Sequence, residues 1–154
     1  MKIMLDKGNT KTPSRAHTYD AGLDLYSPID VKIPGSKVLG YDATENAEMV
    51  EVGSATIDTG VHVKIPQGCF GDIRSRSGLM FNHNITAGGG TIDCGYNGSI
   101  KVKLFNTSSR AYEVKSGDKI AQLVIVPCVL LPLEQVDSLS KTDRGANGFG
   151  STGR

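Results

Sequence analysis

The 154-residue chain lacks tryptophan, contains only three cysteines and carries a formal net charge of +1. The cysteines, Cys69, Cys94 and Cys128, are far apart and form no C-x-x-C pair. This spacing argues against a zinc site and against a disulfide framework. The small net charge excludes a global basic surface for DNA, RNA or an acidic membrane, so any anion site must be local. We therefore expect a reduced, intracellular (cytoplasmic) protein with no nucleic-acid partner.

Long apolar runs are also missing. The N-terminus reaches Asp6 and Lys7 before a signal-peptide core can form, and no stretch is apolar enough to span a bilayer. The P-loop and the G-x-S-x-G elbow are absent as well, and no dinucleotide fingerprint (G-x-G-x-x-G) occurs in strand–helix context. The histidines show no metal-ligand spacing. What remains is one non-membrane domain, long enough for a real core, whose chemistry must lie outside those motifs.

The periodicity of the chain is mostly that of β-strands. Apolar and charged residues alternate in three segments, 29–33, 61–65 and 100–104. Residues 120–126 are apolar except at Gln122, which predicts a central, buried strand. Short strands separated by Pro, Gly, Asn and Asp turns indicate an all-β sandwich, barrel or jelly roll.

Two segments depart from this strand pattern. A short helix is expected over residues 77–82, with Ser77 as its N-cap. Residues 41–48 are acidic and lack strand alternation, which favours an exposed loop within a longer insertion over residues 35–53.

Three polar positions are candidates for chemistry, and each has a structural alternative. Asp24 follows a glycine and is either a turn aspartate or a carboxylate for hydrated Mg²⁺. The Arg76-Ser77-Gly78 segment is either the start of a capped surface helix or an anion contact. Gln122 bonds to core main chain, points outward, or holds water around a metal ion.

Residues 87–98 contain three successive glycines followed by Asp93 and Tyr96. Glycines let the main chain approach a ligand closely, so main-chain groups here can recognise the edges of a base. Asp93 is a candidate general base, and Tyr96 is suited to pack against a sugar. The alternative is an ordinary hairpin with a polar tip.

The last eleven residues, 144–154, have a composition typical of a disordered terminus. They also carry two guanidiniums, two hydroxyls, several glycines and one aromatic ring, which suit a polyphosphate and a flat base. The segment is therefore either a floppy terminus or a lid that orders on a nucleotide.

Taken in order, five segments resemble the five motifs of the trimeric deoxyuridine triphosphate nucleotidohydrolases (dUTPases). These segments are residues 21–27, 76–79, 90–98, 117–123 and 144–153. The resemblance implies a jelly-roll-like all-β fold with one short helix and a homotrimer whose active sites lie between subunits. It also implies a single β domain over residues 1–143 and a C-terminal arm, 144–154, that closes a neighbouring subunit's site.

The resemblance implies Mg²⁺-dependent hydrolysis of dUTP to dUMP and pyrophosphate by attack of water on the α-phosphate. This reaction limits uracil in DNA and supplies dUMP for thymidylate synthesis. Asp93 would be the catalytic residue, and Asp24 and Gln122 would contact through water a Mg²⁺ ion held mainly by substrate phosphates. The implied substrate-binding residues are Arg76, Ser77, Gly78, Ala87, Gly90, Thr91, Ile92, Tyr96, Lys101, Gln122, Arg144, Phe149, Gly150, Ser151 and Thr152.

The resemblance distributes these substrate-binding residues among three subunits. Asp24, Arg76, Ser77 and Gln122 would come from one subunit, and the hairpin with Asp93 and Tyr96 from a second. The main chain over residues 87–92 would recognise uracil, and Tyr96 would pack under the deoxyribose. The arm of the third subunit would place Phe149 on the base and hold the γ-phosphate with Arg144, Ser151 and Thr152.

The chain departs from the family pattern at three positions. Ser75 stands where a proline usually precedes the second motif, Thr91 replaces an aliphatic residue and Gly95 replaces an acidic one. Together these changes are expected to loosen the hairpin. The 35–53 insertion is interpreted as a surface extension in preference to a loop that binds a protein partner.

Other functions remain open at this stage. A dCTP deaminase shares the fold but needs a glutamate base near the nucleobase, which residues 87–98 do not offer. A regulatory protein switched by a nucleotide would not need Asp93 together with a complete arm. A structural jelly roll is the third alternative, because a fold by itself does not specify a function.

Overall fold

The computed structural model describes residues 1–146. The elements are β1 (Lys2–Leu5), β2 (Gly22–Tyr26), β3 (Val31–Ile33), β4 (Lys37–Asp42), β5 (Ala47–Glu51), β6 (Gly53–Asp58), β7 (Val61–Lys64), β8 (Cys69–Arg74), α1 (Ser77–His83), β9 (Ile85–Gly88), β10 (Thr91–Ile92), β11 (Lys101–Asn106), β12 (Tyr112–Val114) and β13 (Lys119–Pro127). The expected all-β fold with one short helix is confirmed.

The strands form antiparallel sheets around one hydrophobic core. The largest sheet has the order β10-β8-β13-β2, and a second has the order β6-β11-β9. Three two-stranded sheets are β1-β7, β12-β3 and β4-β5. Both larger sheets contribute fully buried aliphatic side chains to the same core, for example Leu25 and Leu123 from the first and Ile57 and Leu104 from the second. Each such side chain contributes roughly 1.5–3 kcal/mol by burial.

The strand predictions are confirmed where one face of the strand meets the core. In β11, Val102 and Leu104 are buried while Lys101 and Lys103 are exposed. Strand β13 lies between β8 and β2, as the apolar run predicts. The strand expected from residue 29 begins only at Val31, because Ile29 accepts a hydrogen bond from the Ser27 hydroxyl in a tight turn.

The prediction that Ser77 caps the helix is wrong. Arg76 is the N-cap residue, with an extended backbone and no side-chain capping hydrogen bond, and Ser77 is already helical. The physical reason lies in the main chain, because the first helical hydrogen bond runs from the Met80 N–H to the Arg76 carbonyl oxygen at 3.0 Å. The Arg76 side chain contacts Asp24 at 3.2 Å. The helix ends at His83, and its C-cap residue, Asn84, has a φ of 56° in the left-handed region. No helix within residues 1–146 is both long enough and apolar enough to cross a membrane.

The exposure predicted for residues 41–48 is confirmed, but the segment is a hairpin in which only residues 43–46 lie outside β4 and β5. Tyr41 pairs with Glu48 and Asp42 with Ala47, and the Asp42 carboxylate accepts the Thr44 N–H at 2.8 Å in the turn. Both strands are paired only with each other in the described part of the chain. Apolar and polar residues alternate along a strand when one of its faces packs against the core. Neither face of this hairpin does so, and the sequence periodicity therefore does not reveal its strands.

The base of this hairpin is fixed by a buried polar residue at the end of β11. The Asn106 side-chain amide donates to the carbonyl oxygens of Pro34 at 3.1 Å and Arg110 at 2.7 Å. Its carbonyl oxygen accepts the Ser108 N–H at 3.0 Å. Burial of the amide therefore leaves none of its groups unpaired. The Ser36 hydroxyl adds a bond to the Asn106 main-chain oxygen at 2.7 Å.

His62 in β7 connects the N-terminal strand to the loop that follows β10. Its Nδ1 lies 2.8 Å from the Asn97 carbonyl oxygen, and its Nε2 lies 3.1 Å from the Asp6 carboxylate. Both partners can only accept while Asp6 is ionised, so both ring nitrogens carry a proton in this arrangement. The hydrogen bond to Asn97, followed by the bond and charge of Asp6, raises the pKa of His62 above its ordinary value.

This raised pKa predicts that His62 stabilises the fold more at mildly acidic pH than at alkaline pH. The contribution is fully present below the unfolded-state pKa of about 6.5 and is lost as the pH rises through the higher folded-state value. Urea unfolding across that range should show the stability difference between the wild-type protein and His62→Gln shrinking as the pH rises. His17→Gln serves as the control, and a difference for His62→Gln that does not change with pH would contradict the prediction.

Candidate active site

A buried carboxylate organises one part of the site. Strand pairing places Asp24 of β2 opposite Gln122 of β13, and the Asp24 side chain is only 4% exposed. Its Oδ1 accepts from Arg76 Nε at 3.2 Å and from Gln122 Nε2 at 3.4 Å. Its Oδ2 forms an ion pair with Lys119 Nζ at 2.7 Å. Asp24 therefore lies in a strand and bonds to side chains, so the turn-aspartate alternative is wrong.

These contacts hold two cations at the edge of a cavity of about 330 Å³. A buried carboxylate without partners costs several kcal/mol, and Arg76 and Lys119 offset that cost together. The hydrogen bond to Asp24, reinforced by its charge, raises the pKa of Lys119 and keeps the ammonium protonated. Arg76 Nη1 also donates to the Lys119 carbonyl oxygen at 3.2 Å. Asp118 also lines this cavity and accepts the Lys115 N–H at 2.8 Å, so Arg76 and Lys119 are the lining groups suited to an anion.

Lys119 is a site residue that the sequence reasoning missed. It opens β13 three residues before Gln122 and lies in the fourth of the motif-like segments. The available signal was a basic residue at the start of a strand predicted to be buried. Its importance depends on the pairing of β13 with β2, which brings it to Asp24 and which no local pattern reveals.

The described residues do not fit a metal site made by protein groups alone. Both oxygens of Asp24 are engaged by cations, and Gln122 donates its amide N–H to that carboxylate. Gln122 is therefore not bonded to core main chain, as one alternative held. Residues 1–146 contain no group of three or more His, Cys, Asp or Glu side chains arranged for a metal ion. Asp24 thus does not fit as a direct metal ligand in this arrangement.

Ser77 and Gly78 follow Arg76 as the first residues of α1, and both are exposed. Only Leu79 of this helix is buried in the core. Because Arg76 rather than Ser77 occupies the N-cap position, the Ser77 hydroxyl is not committed to capping the helix. Asp24, Arg76 and Gln122 come into direct contact, as expected, and Ser77 and Gly78 lie immediately beside them in the chain.

A second cavity, of about 230 Å³, is lined by most of the residues expected to recognise the nucleoside, but not by Ala87 or Gly90. Its lining residues are Gly89, Thr91, Ile92, Asp93, Tyr96, Ser99 and Lys101. The Ile92 side chain is buried in the core, where it packs against other apolar residues. Thr91, Asp93, Tyr96 and Lys101 are exposed.

The hairpin expected over residues 87–98 is not a paired hairpin. Strand β9 pairs with β11, whereas β10 pairs with β8, so the chain crosses from one large sheet to the other. The glycines make this crossing possible. A Cβ atom at Gly89 would lie 2.9 Å from the Lys101 carbonyl oxygen, and Gly90 has a φ of +68°. These constraints explain the glycine run that the hairpin interpretation left unexplained.

Asp93 and Tyr96 stand together in the turn after β10. The Asp93 carbonyl oxygen accepts the Tyr96 N–H at 3.0 Å, and the Tyr96 hydroxyl donates to the Ser99 carbonyl oxygen at 2.9 Å. Among the residues that the structure describes, no side chain forms an ion pair or hydrogen bond with the Asp93 carboxylate. The carboxylate is therefore available to accept a proton from a ligand or water.

One chain does not bring all the predicted residues together. The two cavities share no lining residue, so the Arg76–Lys119 group and the Asp93–Tyr96 group form separate half-sites. Arg144 is exposed and lines neither cavity. The arm residues Phe149, Gly150, Ser151 and Thr152 lie outside the described part of the chain.

Comparisons with known proteins agree on one family. The family model described as dUTPase matches residues 8–153. The deoxyuridine 5'-triphosphate nucleotidohydrolase of Solanum lycopersicum is 41% identical over 145 residues, which cover 94% of this chain and 76% of that protein. The corresponding protein of Clostridium novyi is 40% identical over 157 residues, covering 99% of both chains.

Solved structures give the same result. The Staphylococcus bacteriophage 80alpha dUTPase with dUPNHPP matches with a TM-score of 0.83 and 29% identity, over 99% of this chain and 98% of that one. A mutant dUTPase from phage phi11 of S. aureus, described with a structural Mg(II) ion, matches with a TM-score of 0.74 and 27% identity, over 91% and 98% of the two chains. The ordered motifs, the two half-sites and these matches establish that the chain belongs to the dUTPase family.

Proposed function

We propose that this chain hydrolyses dUTP to dUMP and pyrophosphate by attack of water on the α-phosphate. The observation that carries the proposal is the unpaired Asp93 carboxylate beside Tyr96 in a cavity bordered by glycine-rich main chain, in a member of the dUTPase family. The fixed cations Arg76 and Lys119 supply the charge that a triphosphate needs.

The nucleoside half of the reaction falls to residues 87–101. Main-chain groups over residues 87–92 recognise uracil, and Tyr96 packs under the deoxyribose where a 2′-hydroxyl would clash. Asp93 accepts the 3′-hydroxyl and orients the attacking water as its general base. General-base assistance of this kind accelerates a reaction roughly 10²- to 10⁴-fold.

The phosphate half falls to the cluster around Asp24. Negative charge grows on the phosphoryl oxygens and on the leaving pyrophosphate, and Arg76 and Lys119 are already oriented to stabilise it. Asp24 acts here by holding the guanidinium and the ammonium in place, which supports electrostatic stabilisation without reorganisation. Ser77 and Gly78 contact the α- and β-phosphate region.

We propose Mg²⁺ as the cofactor, held mainly by the phosphates of dUTP. This assignment agrees with the engaged oxygens of Asp24, because most ligands must then come from the substrate. When bound there, the ion neutralises part of the triphosphate charge. Gln122 and Asp24 would contact it through water at most.

A homotrimer with shared active sites is the proposed assembly. The segment after β13 exposes a series of apolar side chains that its own chain does not cover, namely Val129, Leu130, Leu131, Leu133, Val136 and Leu139. Strand β1 pairs only with β7 within the described residues, so its other edge is open. An exposed apolar segment and an open edge support contact with a second copy of the chain. The separation of the two half-sites supports their completion across subunits.

Two further parts of the proposal concern the C-terminal arm and the 35–53 insertion. The arm over residues 144–154 is proposed to close a neighbouring subunit's site, with Phe149 on uracil and Ser151 and Thr152 at the γ-phosphate.

The β4–β5 hairpin exposes Val38, Leu39 and Val50, which supports a protein-partner role for the 35–53 insertion beyond a plain extension.

The reaction is tested by pyrophosphate release from dUTP, dCTP, dTTP and UTP. We expect hydrolysis of dUTP to exceed that of the others, and Asp93→Asn to lower kcat about 10²- to 10⁴-fold because the general base is lost. Binding of a non-hydrolysable dUTP analogue should persist in that variant. Glu45→Gln, on the exposed hairpin, is the control. Equal rates on all four nucleotides, or normal turnover by Asp93→Asn, would refute the proposal.

Removal of residues 144–154 tests the arm. The shortened protein should keep its oligomeric state by light scattering and lose most dUTP turnover, since the γ-phosphate contacts and the exclusion of water both disappear. Full activity in the shortened protein would show that the arm is dispensable.

A further inference from the structure

Ser75 links the two segments that the proposed function assigns to phosphate and to base. It lies between the last residue of β8, Arg74, and the N-cap residue Arg76. Its hydroxyl oxygen accepts the Ala87 N–H at 2.8 Å, and the same hydroxyl lies 3.3 Å from the Ala87 carbonyl oxygen, to which it donates. A single side chain therefore contacts both main-chain groups of Ala87 in β9.

This contact spans the boundary between the two large sheets. Strand β8 belongs to the four-stranded sheet and β9 to the three-stranded sheet. A second bond reinforces it nearby, since the Ile73 N–H donates to the Gly90 carbonyl oxygen at 3.4 Å. The end of β8 is thus attached to residues 87–90 at two points, immediately before the main chain enters the Asp93 cavity.

Serine is an unusual choice at this position. In the dUTPase family a proline usually precedes the second motif. Proline has no hydroxyl and cannot make either bond to Ala87. The attachment therefore comes from a feature of this chain in which it departs from the family pattern.

We propose that Ser75 is a positioning residue that sets the main chain of residues 87–90 relative to the Arg76 turn, and thereby the selectivity for uracil. The inference rests on the proposed function. Ser75 is half-buried and contacts no ligand itself; it acts through the amide and carbonyl of Ala87. Without the hydroxyl, a partly buried N–H loses its acceptor, and the glycines at 88–90 offer little resistance to a shift.

The test compares Ser75→Ala with Ser75→Thr, which keeps the hydroxyl. Ser75→Ala should raise KM for dUTP and lower the dUTP-to-dCTP ratio of kcat/KM by about tenfold, because small misplacements of binding groups cost up to about 10²-fold. Ser75→Thr should restore most of the ratio. Amide hydrogen exchange by NMR should show faster exchange at Ala87 in Ser75→Ala. Ser109→Ala, at an exposed serine, is the matched control.

The outcomes separate this role from a simple structural one. A Ser75→Ala protein that melts earlier but keeps the wild-type ratio would overturn the proposal, as would unchanged exchange at Ala87. A wild-type protein that does not hydrolyse dUTP would overturn the proposed function, and the selectivity role with it. Normal wild-type turnover with an unaffected Ser75→Ala ratio would overturn the Ser75 role alone.

Discussion

The Asp24 carboxylate is buried, and it takes one ion pair on each of its oxygens, from Arg76 and from Lys119. Burial makes pairing obligatory, since a buried carboxylate without a cation would keep an uncompensated charge, and the second cation leaves the cluster with a net positive charge. The three residues come from β2, from the turn after β8 and from β13, which are neighbours in one sheet. Compensation of a single charge therefore fixes the positions of the two cations that face the cavity.

A second constraint lies in the crossing between the two large sheets. Gly89 passes close to the Lys101 main chain and Gly90 adopts a left-handed backbone, and glycine meets each of these demands without strain. The crossing delivers Asp93 and Tyr96 to a cavity separate from the one beside Arg76. Under the proposed assembly each chain presents two half-sites, and the uncovered apolar segment after β13 is the surface proposed to join copies of the chain.

Sequence patterns predicted those elements whose faces differ in burial. Strands β11 and β13 were found because Leu104 and Leu123 enter the core, whereas the β4–β5 hairpin was missed because neither of its faces does. The preference of serine for N-cap positions misplaces the helix start by one residue, because the first helical hydrogen bond is accepted by Arg76. The contact between Arg76 and Asp24 joins residues 52 positions apart, which no local pattern reveals. Lys119 was missed for the same reason. The grouping of Asp24, Arg76 and Gln122 followed from the resemblance of ordered motifs, since periodicity carries no information about strand register.

The central claim is that one chain's Arg76 half-site works with another chain's Asp93 half-site. Refolding an equimolar mixture of Arg76→Ala and Asp93→Asn chains tests it directly, because each variant alone leaves every site without one essential group. Random assembly into symmetric trimers with sites shared between chains should leave about a quarter of the sites with both groups intact, and dUTP hydrolysis should return to that level. A mixture as inactive as its parents would contradict the shared site.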